Sequence, residues 1–389
     1  MNKCVKLTNL IIFILLLFYL LVDILTGISM RLTDYSFSVP YKIFVLFLML
    51  FVISCYSIKD VTKIVGLIAL LFLALCFLFF VDIAHTSFYL QTYIKSMANL
   101  LMYLYFMNCI RYEKHIFNYV KWILRINLFV FIANLLLGAL GFGYATYENN
   151  GTKGFFYAGN EIYLIHLSIC LFLIKSNKNK WVVCFYLFVF SVIIGTKSVI
   201  LGSLILLFYS LYSSIKHKLI FLLSILIIVA VFYYSIIQIL STLPLVVYIF
   251  HNFHKIMDMS GSILNAIMSG RVVFIQQAFV KWVSVLNLPI FFFGSGDAII
   301  QTVESDLFDS LFIHGMVFTL ILFFFYLYLC IRARKMNDSL LVVLDVLFIF
   351  ISILAGHTWQ NVSGGLFFIL ANCFADCEFF FGSAINKRC

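Results

Sequence analysis

The sequence predicts an all-α polytopic integral membrane protein with about twelve transmembrane helices. It reads as a single membrane domain over 1–389, with one long outer loop, 239–308, between the ninth and tenth helices. Three observations predict this class. The chain is 64% hydrophobic and 11% charged, against roughly 45–50% and 25% in soluble domains, so the bilayer must solvate most of it. Apolar runs of about 17–25 residues, the length that crosses a bilayer, recur along the chain. Basic residues fall in twos and threes between alternate runs, as inner loops do.

The runs are 8–28, 40–58, 64–82, 92–110, 118–140, 161–175, 181–195, 198–214, 219–238, 309–331, 340–355 and 364–382. The first lacks a small-residue cleavage site and precedes many more runs, so it is read as a helix and not a signal peptide. The second to fifth follow at short intervals. The sixth, seventh and eleventh are short, and the seventh and eighth could form a bent or re-entrant pair. Orientation follows from charge. With the N-terminus inside, Lys3 and Lys6, Lys59 and Lys63, Arg111 and Lys114, and Lys175, Lys178 and Lys180 all fall on the inner side. Lys216 and Lys218, Arg332, Arg334 and Lys335, and Lys387 and Arg388 fall there too, which puts both termini in the cytoplasm.

Two outer segments stand out. Residues 141–160 are rich in Gly and Tyr. Residues 239–308 make a loop too long to be a plain connection. Within it, the amphiphilic run Arg271 to Leu288 sets Gln276, Gln277 and Lys281 among Val, Phe and Trp, which predicts a helix along the outer membrane interface. Pro289 to Gly296 then turns the chain back. No internal repeat is evident, which disfavours inverted-repeat transporters.

The formal net charge of +10 comes from dispersed loop residues, so nucleic-acid binding is not expected. The ten cysteines lie mostly within apolar runs without a C-x-x-C pair, which predicts free thiols and neither a disulfide framework nor a zinc site.

Polar residues that could carry chemistry gather outside. The segment Val303 to Gly315 supplies Glu304, Asp306, Asp309 and His314, with Asp306 and Asp309 on one helical face. About 34 Å of helix separate Asp309 from Arg332, which puts Asp309 at the outer mouth and His314 about 7–8 Å deeper. Carboxylates there line a wet cavity or meet cations; the bland reading is a solvated loop with a core histidine. The cations within reach are Arg271, Lys197 and Lys153. Arg271 follows Ser269-Gly270, suits a helix start that holds an anion, and forks onto phosphate oxygens. Arg271 could equally face lipid headgroups, and Lys197 could simply snorkel to them. His357, in Ala355-Gly-His-Thr-Trp-Gln360, occupies a short outer loop and could relay a proton or contact phosphate. Asn160 and Glu161 open the sixth helix, where the dipole favours the acid and capping alone could explain them. Asp23, Arg125 and Asp345 lie within predicted spans and could pair between helices. Asn150-Gly-Thr152 matches a glycosylation acceptor pattern.

In order, Gly154-Phe-Phe-Tyr-Ala-Gly-Asn-Glu161, Gly195-Thr-Lys-Ser198, Ser269-Gly-Arg271, Phe293-Gly-Ser-Gly296, Glu304-Ser-Asp-Leu-Phe-Asp309 with Gly315, and Ala355-Gly-His357 resemble the O-antigen and capsular polysaccharide polymerases (Wzy type), and more distantly the O-antigen ligases. The resemblance covers about residues 150–360. It implies a membrane glycosyltransferase acting on undecaprenyl-pyrophosphate-linked oligosaccharides at the outer face of a bacterial cytoplasmic (inner) membrane. A flippase and a chain-length regulator would be its partners, and no cofactor or metal would take part. The implied roles are a base, Glu304 or Asp306, and a pyrophosphate site led by Arg271 with Lys197 and His357 assisting. Asp309, His314, Asn160 and Glu161 would complete the substrate site. The ligases carry a histidine near the position of Glu304 that this chain lacks, which leaves His314 or His357 as alternative bases. Two other functions fit part of the pattern: a transporter, in particular a flippase of the same lipid-linked sugars, and a scaffold protein.

Overall fold

The computed structural model describes residues 3–81, 86–113, 115–147, 150–157, 159–177, 180–215, 218, 223, 244–295, 303–354 and 356–385. In chain order these form α1 (Lys3–Leu17), α2 (Tyr19–Leu32), α3 (Ser38–Tyr56), α4 (Ile58–Val81), α5 (Thr86–Tyr112), α6 (Ile116–Ala139), a small hairpin of β1 (Tyr144–Tyr147) and β2 (Asn150–Gly154), α7 (Asn160–Ser176), α8 (Lys180–Ile194) and α9 (Lys197–Ser214). Then come α10 (Pro244–Ser260), α11 (Ile263–Ile267), α12 (Arg271–Val285), α13 (Leu288–Phe293), α14 (Asp306–Lys335), α15 (Ser339–Leu354) and α16 (Val362–Ile385).

The all-helical class holds; the count of twelve spans does not. Among the described residues four helices are long and apolar enough to cross a membrane: α3, α6, α14 and the Val362–Phe380 stretch of α16. A fifth is added if α1 and α2, bent by 50° at Phe18, count as one span. Three physical reasons account for part of the difference. The runs at 161–175, 181–195 and 340–355 fold into helices of 17, 15 and 16 residues, short of the ~20 residues that a ~30 Å hydrocarbon core requires. Helix α7 owes its apolarity to the protein, since every residue from Ile162 to Ile174 is buried. It packs along α16, whose candidate span is 83% buried. Helix α5 has the length, but Gln91, Thr92, Lys95, Ser96 and Asn99 dilute it. The run 219–238 lies outside the described residues apart from Leu223. With Phe47, Phe129, Phe185 and Phe188 exposed on helix flanks, the apolar helices are those of a multi-pass membrane protein.

The long outer segment is also not a loop in its described part. Helices α10 to α13 occupy it, and the amphiphilic run Arg271–Leu288 becomes α12 and the start of α13. Ala278 and Trp282 of α12 pack with Ile290, Val303 and Phe312 in a small core separate from the main one. Phe274, Phe279 and Val280 of the same helix remain exposed.

Helix α14 is not continuous. Gly315 has φ 80° and ψ 177°, a region open essentially to glycine alone. The break frees the Phe312 carbonyl, which accepts the Ser295 N–H and the Ser295 hydroxyl, both at 3.0 Å. Gly294, with φ 84° and ψ 173°, meets Gly315 backbone to backbone. A Cβ on Gly315 would stand 2.5 Å from the Gly294 nitrogen and the Phe292 carbonyl. The expected single axis from Asp309 to Arg332 is therefore broken, and the depth assigned to His314 along it does not apply.

Ion pairs among the described residues sort to the two ends of the bundle. At one end, Asp23 of α2 receives Lys42 of α3 at 2.8 Å and the hydroxyls of Ser38 at 2.6 Å and Ser363 at 2.7 Å. At the other, Lys175 meets Asp338 and Glu378, Arg332 meets Asp376 and the Tyr103 hydroxyl, and Lys63 meets Asp60. Asp345, the other intramembrane carboxylate foreseen to pair, accepts from Asn372 at 3.0 Å. The hairpin sits at the first end, tied by Asn134, which donates to the Lys153 carbonyl at 3.2 Å and accepts from the Phe155 N–H at 2.8 Å. Thr152 of the acceptor pattern is buried and bonded to the Tyr144 carbonyl at 3.0 Å.

Candidate functional site

Three loops converge at the first end of the bundle. In the first, the chain leaves α11 through Ser269 (φ 54°) and Gly270 (φ 89°) before α12 starts at Arg271. The Gly270 N–H returns to the Asn265 carbonyl at 2.8 Å, which fixes the turn. Arg271 Nη1 donates to the Leu354 carbonyl at 3.4 Å, while Nη2 meets Glu304 Oε2 at 2.8 Å. Its Nε is buried without a hydrogen-bond partner.

The second loop, 303–305, is shaped from within its own helix. Asp309 accepts the Val303 N–H at 2.7 Å and the Ser305 N–H at 3.1 Å, and Ser305 donates its hydroxyl to the Ile353 carbonyl at 2.7 Å. This pulls 303–305 into a tight cap and leaves Glu304 at φ 57° with its side chain 56% exposed. The third loop, 356–361, is held by Asp306. Its Oδ2 accepts the Thr358 N–H at 2.5 Å, the Thr358 hydroxyl and the Trp359 N–H at 3.1 Å. Tyr163 donates to the Gly356 carbonyl at 3.0 Å. Gly356 (φ 64°) lies so close to Glu304 that a Cβ there would overlap the Glu304 carbonyl. His357 follows at φ 59°.

Ser269, Glu304 and His357 thus share an unusual backbone. Among the described residues only two other non-glycine residues, Asp34 and Asn337, have positive φ. Such conformations cost about 1–3 kcal/mol each and persist where the surroundings impose them. Their gathering in one place marks this end of the bundle as the site.

The structure therefore brings Arg271, Glu304 and Lys197 together and sets His357 beside them through the Gly356–Glu304 contact. Lys197 donates to the Ser269 hydroxyl at 3.4 Å. Burial first, and then the neighbouring Arg271, hold its ammonium below the ordinary lysine pKa. Asp306 and Asp309 are buried and committed to loop backbone, so in this fold they position Glu304 and His357. His314 stands apart, buried with ring centroids 4.6 Å from Tyr89, 5.2 Å from Phe318 and 5.6 Å from Tyr93. Neither of its ring nitrogens has a hydrogen-bond partner. Asn160 and Glu161 open α7, and their side chains lie outside the described residues. Lys153 donates to the Tyr157 carbonyl at 2.7 Å, within its own segment.

Behind His357 opens a cavity of about 560 Å³. Its walls include Asp23, Lys42, Lys95, Tyr157, Gln360 and Asn361. Most of these come from the first helices and from the residues just after His357. One sequence signal could have found them, a carboxylate at position 23 and lysines at 42 and 95 inside or beside apolar runs. Their partners are far away in the chain, so nothing in the sequence linked them to His357. The lining offers donors and acceptors of both charges, together with an aromatic ring. Among the described residues no three His, Cys, Asp or Glu side chains gather within metal-binding reach.

No family model matches the chain, and neither a curated protein nor a solved structure matches it.

Proposed function

We propose that the chain polymerises undecaprenyl-pyrophosphate-linked oligosaccharide units into surface polysaccharide, by glycosyl transfer at the outer face of the bacterial cytoplasmic membrane. The observation that carries the reading is the half-open Arg271–Glu304 pair, with Lys197 beside it and the polar cavity behind His357.

Exposed ion pairs contribute about 0–1 kcal/mol. A pyrophosphate that engages Arg271 and Lys197 can therefore separate Glu304 from its arginine at little cost. This frees the carboxylate for a second task and supplies two cations where the leaving group needs them. The acceptor sugar occupies the cavity, whose mixed donors and acceptors suit hydroxyl groups. In the transfer, the acceptor oxygen forms a bond to the anomeric carbon of the donor as that carbon's bond to the pyrophosphate oxygen breaks. The acceptor proton passes to Glu304, with His357 as the neighbouring alternative, and the lipid pyrophosphate leaves held by Arg271 and Lys197. Asp306 and Asp309 act through the loops they hold. The remainder of the assignment, with His314, Asn160 and Glu161 near the substrate and a flippase and a chain-length regulator as partners, rests on the sequence resemblance.

The second reading, a flippase of the same lipid-linked sugars, draws on the same cavity, because Asp23 and Lys42 line it from within the apolar helices. One experiment separates the two. In a deletion strain complemented with Arg271→Ala, the protein should insert normally and the surface glycan should stop at one repeat unit, with lipid-linked units on the outer face. Long glycan chains from this variant would remove the pyrophosphate role. Lipid-linked units stranded on the cytoplasmic face would favour the flippase.

A further inference from the structure

At the opposite end of the bundle from Arg271, helices α5 and α14 pack side by side, and α5 also packs on α4. Between them lies a second cavity of about 390 Å³. Leu100, Leu104 and Met107 supply one wall from a single face of α5, and Ile321, Phe324 and Tyr328 supply the other from α14. The groove is open on its flank, where Phe324 is 57% and Tyr328 50% exposed. It ends in charge, at Lys63, Arg111 and Asp60. Asp60 is already engaged by Lys63 at 2.7 Å and by Asn108 at 3.0 Å. Arg111 makes no ion pair among the described residues, and Lys63 is 61% exposed. Arg332, one turn beyond Tyr328, is occupied by Asp376 and by Tyr103 of the groove floor.

The dimensions define the ligand. From Leu100 to Arg111 the groove runs about 16 Å along α5. That is about half of the ~30 Å hydrocarbon core, the depth of one leaflet. An apolar channel one leaflet deep, capped by a guanidinium without an ion pair among the described residues and by an exposed ammonium, fits an amphiphile with an anionic head. Free phosphate would leave the aromatic wall unused. A zwitterionic head would bring its own cation against Arg111. Basic pockets between helices on the cytoplasmic side are where anionic lipid headgroups dock, and this end of the bundle carries the basic loops.

We infer that the α5–α14 groove is a binding site for one anionic phospholipid, with its phosphate on Arg111 and Lys63 and an acyl chain along Leu104, Phe324 and Tyr328. Native mass spectrometry of the full chain in detergent, with phosphatidylglycerol or phosphatidylcholine added, tests it. The wild type should retain one phosphatidylglycerol in preference to phosphatidylcholine. Lys63→Ala with Arg111→Ala should weaken retention by about 30-fold. The charge-preserving pair Lys63→Arg with Arg111→Lys should keep it, and Lys335→Ala, outside the groove, should have no effect. Equal retention of the two lipids by the wild type, a measurement that needs no variant, overturns the proposal. So does unchanged retention in the alanine pair, or complete displacement of the lipid by inorganic phosphate at equal concentration, which would make this a simple anion site.

Discussion

A carboxylate inside an apolar helix needs partners, and Asp23 has three, one of them the Lys42 ammonium at 2.8 Å. Removing one member of such a pair costs about 3–5 kcal/mol, whereas replacing both by apolar groups of similar volume is often neutral. Asp23→Ala should therefore lower the thermal unfolding temperature of the detergent-solubilised protein sharply, and adding Lys42→Met should recover most of the loss. If the double variant is no more stable than the single one, the pair is not the unit that matters. At the other polar cluster, the depressed pKa of Lys197 has a direct consequence. Its charge is lost as pH rises through a value below that of an ordinary lysine. Pyrophosphate affinity, measured by calorimetry, should thus begin to fall at less alkaline pH than for an exposed lysine, and Lys197→Arg should flatten that fall. Residue types were legible in the sequence at this scale: Arg271, Glu304 and His357 stood out as polar residues expected on the outer side. Their division of labour was not. Asp306 and Glu304 are two residues apart and alike in chemistry, yet one is 1% exposed and bonded to loop backbone while the other is open. Only the position of the 356–361 loop separates them.

Helices announce themselves by apolar runs, but their breaks depend on what packs against them. The Gly294–Gly315 contact is a case in point. Both glycines adopt backbone that a side chain excludes; a Cβ on Gly315 would meet the Gly294 nitrogen and the Phe292 carbonyl, and one on Gly294 would meet the Ile313 carbonyl. Gly315→Ala should destabilise the protein by ~3 kcal/mol or more and separate α13 from α14. The drop in folded protein recovered from membranes, against a milder loss for Gly66→Ala where a Cβ meets nothing within 4 Å, measures it. Three runs were read correctly as helical: the amphiphilic Arg271–Leu288 run, whose helix ends at Val285, and the short sixth and seventh runs. The length threshold then failed for the latter, because hydropathy cannot tell a helix wrapped by protein, such as α7, from one wrapped by lipid. Both are apolar all round.

Across the whole molecule, the two polar ends define a direction. Arg271, Lys197, Glu304 and His357 lie at one end, and Lys63, Arg111, Lys175 and Arg332 at the other. In the proposed orientation, which rests on the positive-inside rule, the second end faces the cytoplasm. Cysteine substitutions at 271 and 304, in a background without the native cysteines, should react with a membrane-impermeant maleimide added outside intact spheroplasts, and one at 335 should not. Labelling of 271 and 304 only after the membrane is opened would reverse the orientation and end the proposed chemistry. The ion pairs at each end join residues far apart in the chain, as Asp23 does with Ser363, so the ends are products of packing.

The sequence by itself determined the solvent and the material: helices rich enough in Phe, Leu and Ile to need a bilayer, and a side to which the basic loops belong. Composition and periodicity are local sums, and they survive whatever the helices pack against. The tertiary structure decided which apolar helices are wrapped by protein and where α14 breaks. It also decided which of two neighbouring carboxylates is left open beside Arg271, and which residues of the first helices line the cavity behind His357. Each of those depends on a contact between segments tens to hundreds of residues apart, and no local property of the chain encodes such a contact.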